Sequence, residues 1–166
     1  MYATPLQLLL AIGAAELTRL IAPSSARITV ETEALIEAAC RGADLTAYSP
    51  TEQALAADAL ARAQQAIDQV AGWIDDHLRG RYQLPLTVVP SYLAALAVDA
   101  TIYRLLRKPN EDQVRRQEAA EKTLRMIARG ELTIGAAGTA PATSGGGDVP
   151  VVAAPPSPWG DRSDWP

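Results

Sequence analysis

The chain has 166 residues, a formal net charge of −4, no phenylalanine and one cysteine, and 48% of it is apolar. That length allows one domain and a tail. The negative charge argues against a protein that grips nucleic acid through phosphate contacts, though it suits a wall that DNA slides past. Many of the apolar residues are alanines, which favours thin, closely packed helices over a thick core. Cys40 alone excludes an intramolecular disulfide and a cysteine zinc site, and reads as a small buried hydrophobe. The N-terminus lacks a basic n-region and the Leu8–Ile12 run is short, which predicts no signal peptide. No apolar run approaches the ~20 residues of a membrane span. The expectation is a soluble protein made in the cytoplasm, with no membrane partner.

Thr4-Pro5-Leu6-Gln7 is a capping box with proline at the first helical position, opening a short helix through Leu10 that ends at Gly13. Ala14–Leu20 is a second short turn or helix, and Leu9, Ile12, Leu17 and Leu20 form a small apolar cluster. Pro23-Ser24-Ser25 is a loop. Arg27–Val30 alternates weakly and admits a brief strand. The stronger reading is a lead-in to a helix over Glu31–Arg41, ended by Gly42. Ala43–Tyr48 is a loop.

Ser49-Pro50-Thr51-Glu52 repeats the capping box and opens the element around which the chain is organised. Leu60, Ala63, Ile67, Val70, Ile74 and Leu78 recur every three or four residues, so one stripe of a long helix faces partners. Gly80 is placed to stop it as a left-handed glycine, with Arg79 in the last turn. Unbroken from Pro50 to Arg79, the helix is roughly 45 Å long. Such a helix overhangs a small domain and calls for a neighbouring chain. Arg81–Leu86 follows as a short extended arm, because Pro85 pushes Leu84 away from helical geometry. Pro90 opens a helix over Ser91–Arg107 with Leu93, Leu96, Ala97, Ala100 and Tyr103 or Arg104 on one face. Lys108-Pro109-Asn110 breaks it. Asn110 caps a last helix, Glu111–Arg129, with a charged outer face and a sparse apolar stripe of Val114, Leu124 and Ile127. Gly130 closes it, and Leu132-Thr133-Ile134 admits a short strand.

From Gly135 the composition changes to Gly, Ala, Thr, Ser and Pro, which by itself buries nothing. The fold class is therefore all-α: a small helical bundle over residues 1–134 with one long central helix, followed by an extended Pro/Gly-rich C-terminal arm over 135–166. The arm carries Trp159 and Trp165. With Val151 and Val152 they have the composition of a segment that orders on a partner.

Chemistry is thinly represented. His77 stands between Asp76 and Leu78, but Asp75, Asp76 and His77 are helix neighbours that point in different directions and do not converge on one ion. No phosphate-binding loop, nucleophile triad or metalloprotease motif is present. The expectation is a protein without catalytic residues, cofactor or metal. Asp99 interrupts the most apolar helix. If buried it needs a partner, such as Arg81 or Arg62; an intersubunit ion pair, an intramolecular one and a solvent-facing carboxylate are the alternatives.

Three stretches taken together resemble the Mu-like phage neck proteins, the helical head–tail joining proteins of tailed phages. They are the Met1–Pro5 opening, the string Ile74–Leu86 with its Gly-Arg-Tyr-Gln-Leu-Pro-Leu core, and Val89–Leu105 with the charged helix closing at Ile127–Gly130. Residues 24–48 look longer than expected for that family, and the Trp-rich ending departs from it. The resemblance implies a non-enzymatic adaptor. It would form a homo-oligomeric ring beneath the portal protein, expected to be a dodecamer, and continue the DNA channel without sequence-specific binding. It would also offer a platform to a stopper or tail-completion protein. Its place would be the virion neck. Arg81, Tyr82, Leu84, Asp99 and Arg104 are then expected at subunit or portal contacts, with Val151, Val152, Trp159 and Trp165 as docking residues. A rival reading is a nucleic-acid-binding or regulatory module using Arg115, Arg116, Lys122, Arg125 and Arg129, a face that Asp112, Glu118 and Glu121 interrupt.

Overall fold

Ser49 starts the long helix by the mechanism its sequence dictates. Its hydroxyl accepts the Glu52 N–H, and the Glu52 carboxylate accepts the Ser49 N–H at 2.8 Å. The Ser49 hydroxyl, which donates to the Glu52 carboxylate at 2.7 Å, and then the Ser49 N–H hold that carboxyl below the usual carboxylate range. The computed structural model describes residues 1–24 and 26–135. Over these the chain forms α1 (Pro5–Ile12), α2 (Ala14–Ile21), α3 (Val30–Cys40), α4 (Pro50–Leu78), α5 (Ser91–Leu105) and α6 (Glu111–Arg129), with no strand among them. The all-α expectation holds. Val151, Val152, Trp159 and Trp165 lie outside the described residues.

The 29 residues of α4 span about 43 Å at ~1.5 Å per residue, and α4 packs against every other helix. Its stripe changes character along its length. The first half buries Ala56, Ala59, Ala63 and Ala66; the second buries Ile67, Val70, Ile74 and Leu78. Small side chains let α3 and α2 approach the first half closely, whereas the second half supplies the bulk of the core. A minor cluster joins Leu35 and Ala39 of α3 to Ala56. There Gln53 Nε2 donates to the carbonyls of Leu45 and Tyr48, tying the 43–48 loop to α4.

After α4 the chain doubles back. Tyr92 at the start of α5 lies beside Tyr82, and Arg104 near its end reaches Gln69 of α4. α5 therefore runs antiparallel to α4. α6 returns so that Ile134, just past its end, meets Tyr82. Leu93, Ala97, Ala100, Leu124 and Ile127 complete the core, and Cys40 sits in it with its thiol pushed up by burial.

Several boundaries differ from the sequence expectation. α3 starts at Val30, because Thr29 accepts the Thr32 N–H, and Arg27–Val30 is not a strand. α5 stops at Leu105 rather than Arg107, since Leu106 is already extended ahead of Pro109. Leu132–Ile134 pairs with no strand among the described residues. Gly13, Gly42 and Gly130 adopt positive φ where helices end; Gly80 does not.

Candidate functional site

The segment after α4 turns into the bundle. The N–H groups of Arg81 and Tyr82 both donate to the Leu78 carbonyl at 2.9 Å. The Tyr82 ring is 3% exposed, and its hydroxyl accepts the N–H of Ile134, itself a buried residue, at 2.9 Å. The chain's passage beyond α6 is thereby clasped to the end of α4. Arg81 lies against the last turn of α6: a Cβ on Gly130 would fall 1.5 Å from its Nη1. Gly130 has φ +84, so it closes α6 in the left-handed conformation and leaves room for the guanidinium at the helix end that favours a cation. Leu84, half-buried and joined to Pro85 by a cis peptide bond, packs with Leu86 and Val89 on the core.

Of the five residues expected at an interface, Tyr82 faces inward, Leu84 and Arg81 are half-exposed, and Asp99 and Arg104 are exposed. Asp99 is not buried and has neither proposed partner. Arg62 Nη1 donates to the Ala22 carbonyl at 3.2 Å, and Arg81 lies by Gly130. Asp99 instead lines a cleft of about 150 Å³ between α1, α5 and α6, with Tyr103, Arg116 and Gln117. Gln117 keeps a buried Oε1 without a hydrogen-bond partner there. Within the chain the carboxylate faces solvent and makes no ion pair among the described residues, so of the three alternatives the intramolecular pair is absent.

Around His77 the side chains diverge. His77 Nδ1 donates to the Trp73 carbonyl at 2.8 Å and its ring meets Trp73 edge-on at 5.5 Å. Asp76 pairs with Arg79 at 2.6 Å, while Asp75 accepts the Tyr2 hydroxyl. Among the described residues no three His, Cys, Asp or Glu side chains form a metal-sized group.

The Tyr2–Asp75 bond escaped the sequence reading, since its partners are 73 positions apart and no local pattern marks them. Burial, the hydrogen bond to Asp75 and the Asp75 charge, in that order, push the Tyr2 phenol above its ordinary value of 10.0. A raised phenol contributes stability that is fully present below pH ~10 and lost as pH climbs toward the folded value. Tyr2→Phe should lower stability by about 1.5 kcal/mol at neutral pH, the low end for a bond to a charged group. It should also flatten the alkaline fall seen in the parent. Urea midpoints at neutral pH and above pH ~10 measure both; a variant that falls as steeply as the parent would assign the alkaline limb elsewhere.

On α6 three of the five basic residues have an acidic neighbour, and among the described residues Arg116 and Lys122 make no ion pair. Arg115 pairs with Glu111 at 3.6 Å, Arg125 pairs with Glu121, and Arg129 lies 4.0 Å from Glu131.

A family sequence model described as Bacteriophage Mu, Gp36 matches residues 2–152. The chain belongs to that family. The match takes in all six helices and runs past Gly135. No curated protein matches the chain. The phage affiliation carried by the Gly80–Leu86 string and its flanking helices is thus correct. No helix among the described residues is long and apolar enough to cross a membrane.

Proposed function

We propose that the chain is a structural adaptor of the virion neck. Copies would form a ring beneath the portal protein, continue the DNA channel and present a platform to a stopper or tail-completion protein. The observation that carries this reading is the clasp at Tyr82. It fixes Ile134 at the end of the longest helix, and residues 136–166, which follow it in sequence, hold two of the three tryptophans. An arm anchored at a defined point and bearing aromatic residues is built to reach a neighbour. A closed ring needs head-to-tail contacts, so two different faces of each copy must meet. Exposed apolar side chains on separate elements, Leu10 on α1, Val30 on α3 and Tyr92 on α5, suit that demand. Arg81, Leu84, Asp99 and Arg104 are the surface residues assigned to these contacts, and the reading assigns no catalysis, cofactor or membrane contact.

The rival nucleic-acid-binding module has less support, because the arginines of α6 are mostly paired with glutamates of the same region. Deleting residues 136–166 tests the adaptor reading. The helical circular dichroism per helical residue should persist, while co-sedimentation with portal rings and the joining of filled heads to tails should be lost. Joining that proceeds unchanged would overturn the assignment of the arm.

A further inference from the structure

Three arginines converge on one open concavity of about 260 Å³: Arg62 of α4, Arg104 near the end of α5, and Arg107 beyond it. Among the described residues no carboxylate lines it. Among the described residues none of the three makes an ion pair. Arg62 donates to the Ala22 carbonyl and Arg104 to Gln69 Oε1, both neutral acceptors. Asp58, one turn before Arg62 on α4, borders the adjoining concavity and is not ion-paired to it. Leu20, Ala66 and Leu105 give the shelf an apolar floor. In a chain of net charge −4, a cationic shelf without its own counter-charge calls for an acidic, aromatic-bearing partner.

The same chain contains such a partner. Residues 159–165 read Trp-Gly-Asp-Arg-Ser-Asp-Trp, placing Asp161 and Asp164 between two tryptophans. We infer that residues 159–165 dock on the Arg62–Arg104–Arg107 shelf of their own chain, with the aspartates on the guanidinium groups and the indoles over arginine and the apolar floor. Reach favours the chain's own segment. The exit at Gly135 is held by the neighbouring Ile134 at the Tyr82 end of α4, and Arg62 lies 16 residues back along that helix, about 24 Å away. Asp161 lies 26 positions beyond Gly135, and a flexible chain of that many residues would span about 28 Å. A tether whose length matches the span gives the highest effective concentration, about millimolar. Docking would hold Trp159 and Trp165 on the subunit until a competing surface takes them. The inference concerns the free chain and stands apart from the neck reading.

The test uses the full chain and follows its three indole N–H signals by NMR. In the parent at low salt, the Trp159 and Trp165 signals should differ from their positions in about 0.5 M salt, which screens the pairs. Arg104→Glu/Arg107→Glu should release both, lowering the docked population about tenfold, the combined effect of two surface ion pairs and a cation–ring contact. Asp161→Lys/Asp164→Lys should do the same without altering any residue of α1–α6, and combining all four changes should restore docking. Signals unchanged across these variants would overturn the inference. So would signals that move on dilution, which would make the occupant a second copy's segment. Duplex DNA binding that requires Arg104 and Arg107 while the indole signals stay fixed would give the shelf to nucleic acid instead.

Discussion

Tyr82→Ala should lower stability by roughly 3–5 kcal/mol, the range for losing a buried aromatic side chain. Its ring fills the core where the arm re-enters the bundle, and its hydroxyl satisfies the Ile134 N–H. Tyr82→Phe separates the two contributions. It keeps the ring and strands the Ile134 N–H in a buried place, which costs about 1–3 kcal/mol. In both variants the Ile134 amide should lose its protection against hydrogen exchange, whereas amides in the middle of α4 should not under conditions where the bundle stays folded. A Phe variant with parental stability and a protected Ile134 amide would show that the hydroxyl contributes nothing.

Ile74→Ala is expected to cost about 2–5 kcal/mol, because Ile74 is fully buried in the half of α4 that carries the large core side chains. The first half of the same helix fails by the opposite route. Ala59 and Ala63 have almost nothing to remove, but enlarging either fully buried alanine to leucine would overpack the core there, at about 1–3 kcal/mol. Chemical denaturation of Ile74→Ala beside Ala63→Leu distinguishes a core with bulk at one end from one packed evenly. Equal tolerance of truncation at Ile74 and at Leu60, which is only half-buried, would argue for an even core.

What could be read from the sequence was local. The capping residues Thr4, Ser49 and Asn110 make the hydrogen bonds their spacing implies. In α4 the burial of Ala63, Ile67, Val70, Ile74 and Leu78 follows from the three-and-four spacing. Gly80 shows the limit. A glycine just past a helix is the usual stop signal, yet Gly80 takes no positive φ, and the chain beyond it is held by the burial of Tyr82 and its bond to Ile134, 52 positions away. Asp99 shows another limit. An apolar stretch around a carboxylate left burial and exposure both open, and the helix turns that one position outward while Ala97 and Ala100 face the core. The arginine shelf left only a faint trace, in that Arg104 has no acidic residue one turn away in either direction. Its assembly depends on α5 folding back along α4, which no window of sequence contains.

The bond between Ile134 and Tyr82 also decides how the bundle responds to pulling. Tension arriving along the backbone past Gly135 reaches Tyr82 before it can peel α6, and Tyr82 hands it to the final turn of α4 through the Leu78 carbonyl. The load is then borne lengthwise by the stiffest rod in the molecule. A tug on the trailing residues is therefore shared by the whole subunit instead of unzipping it from one end.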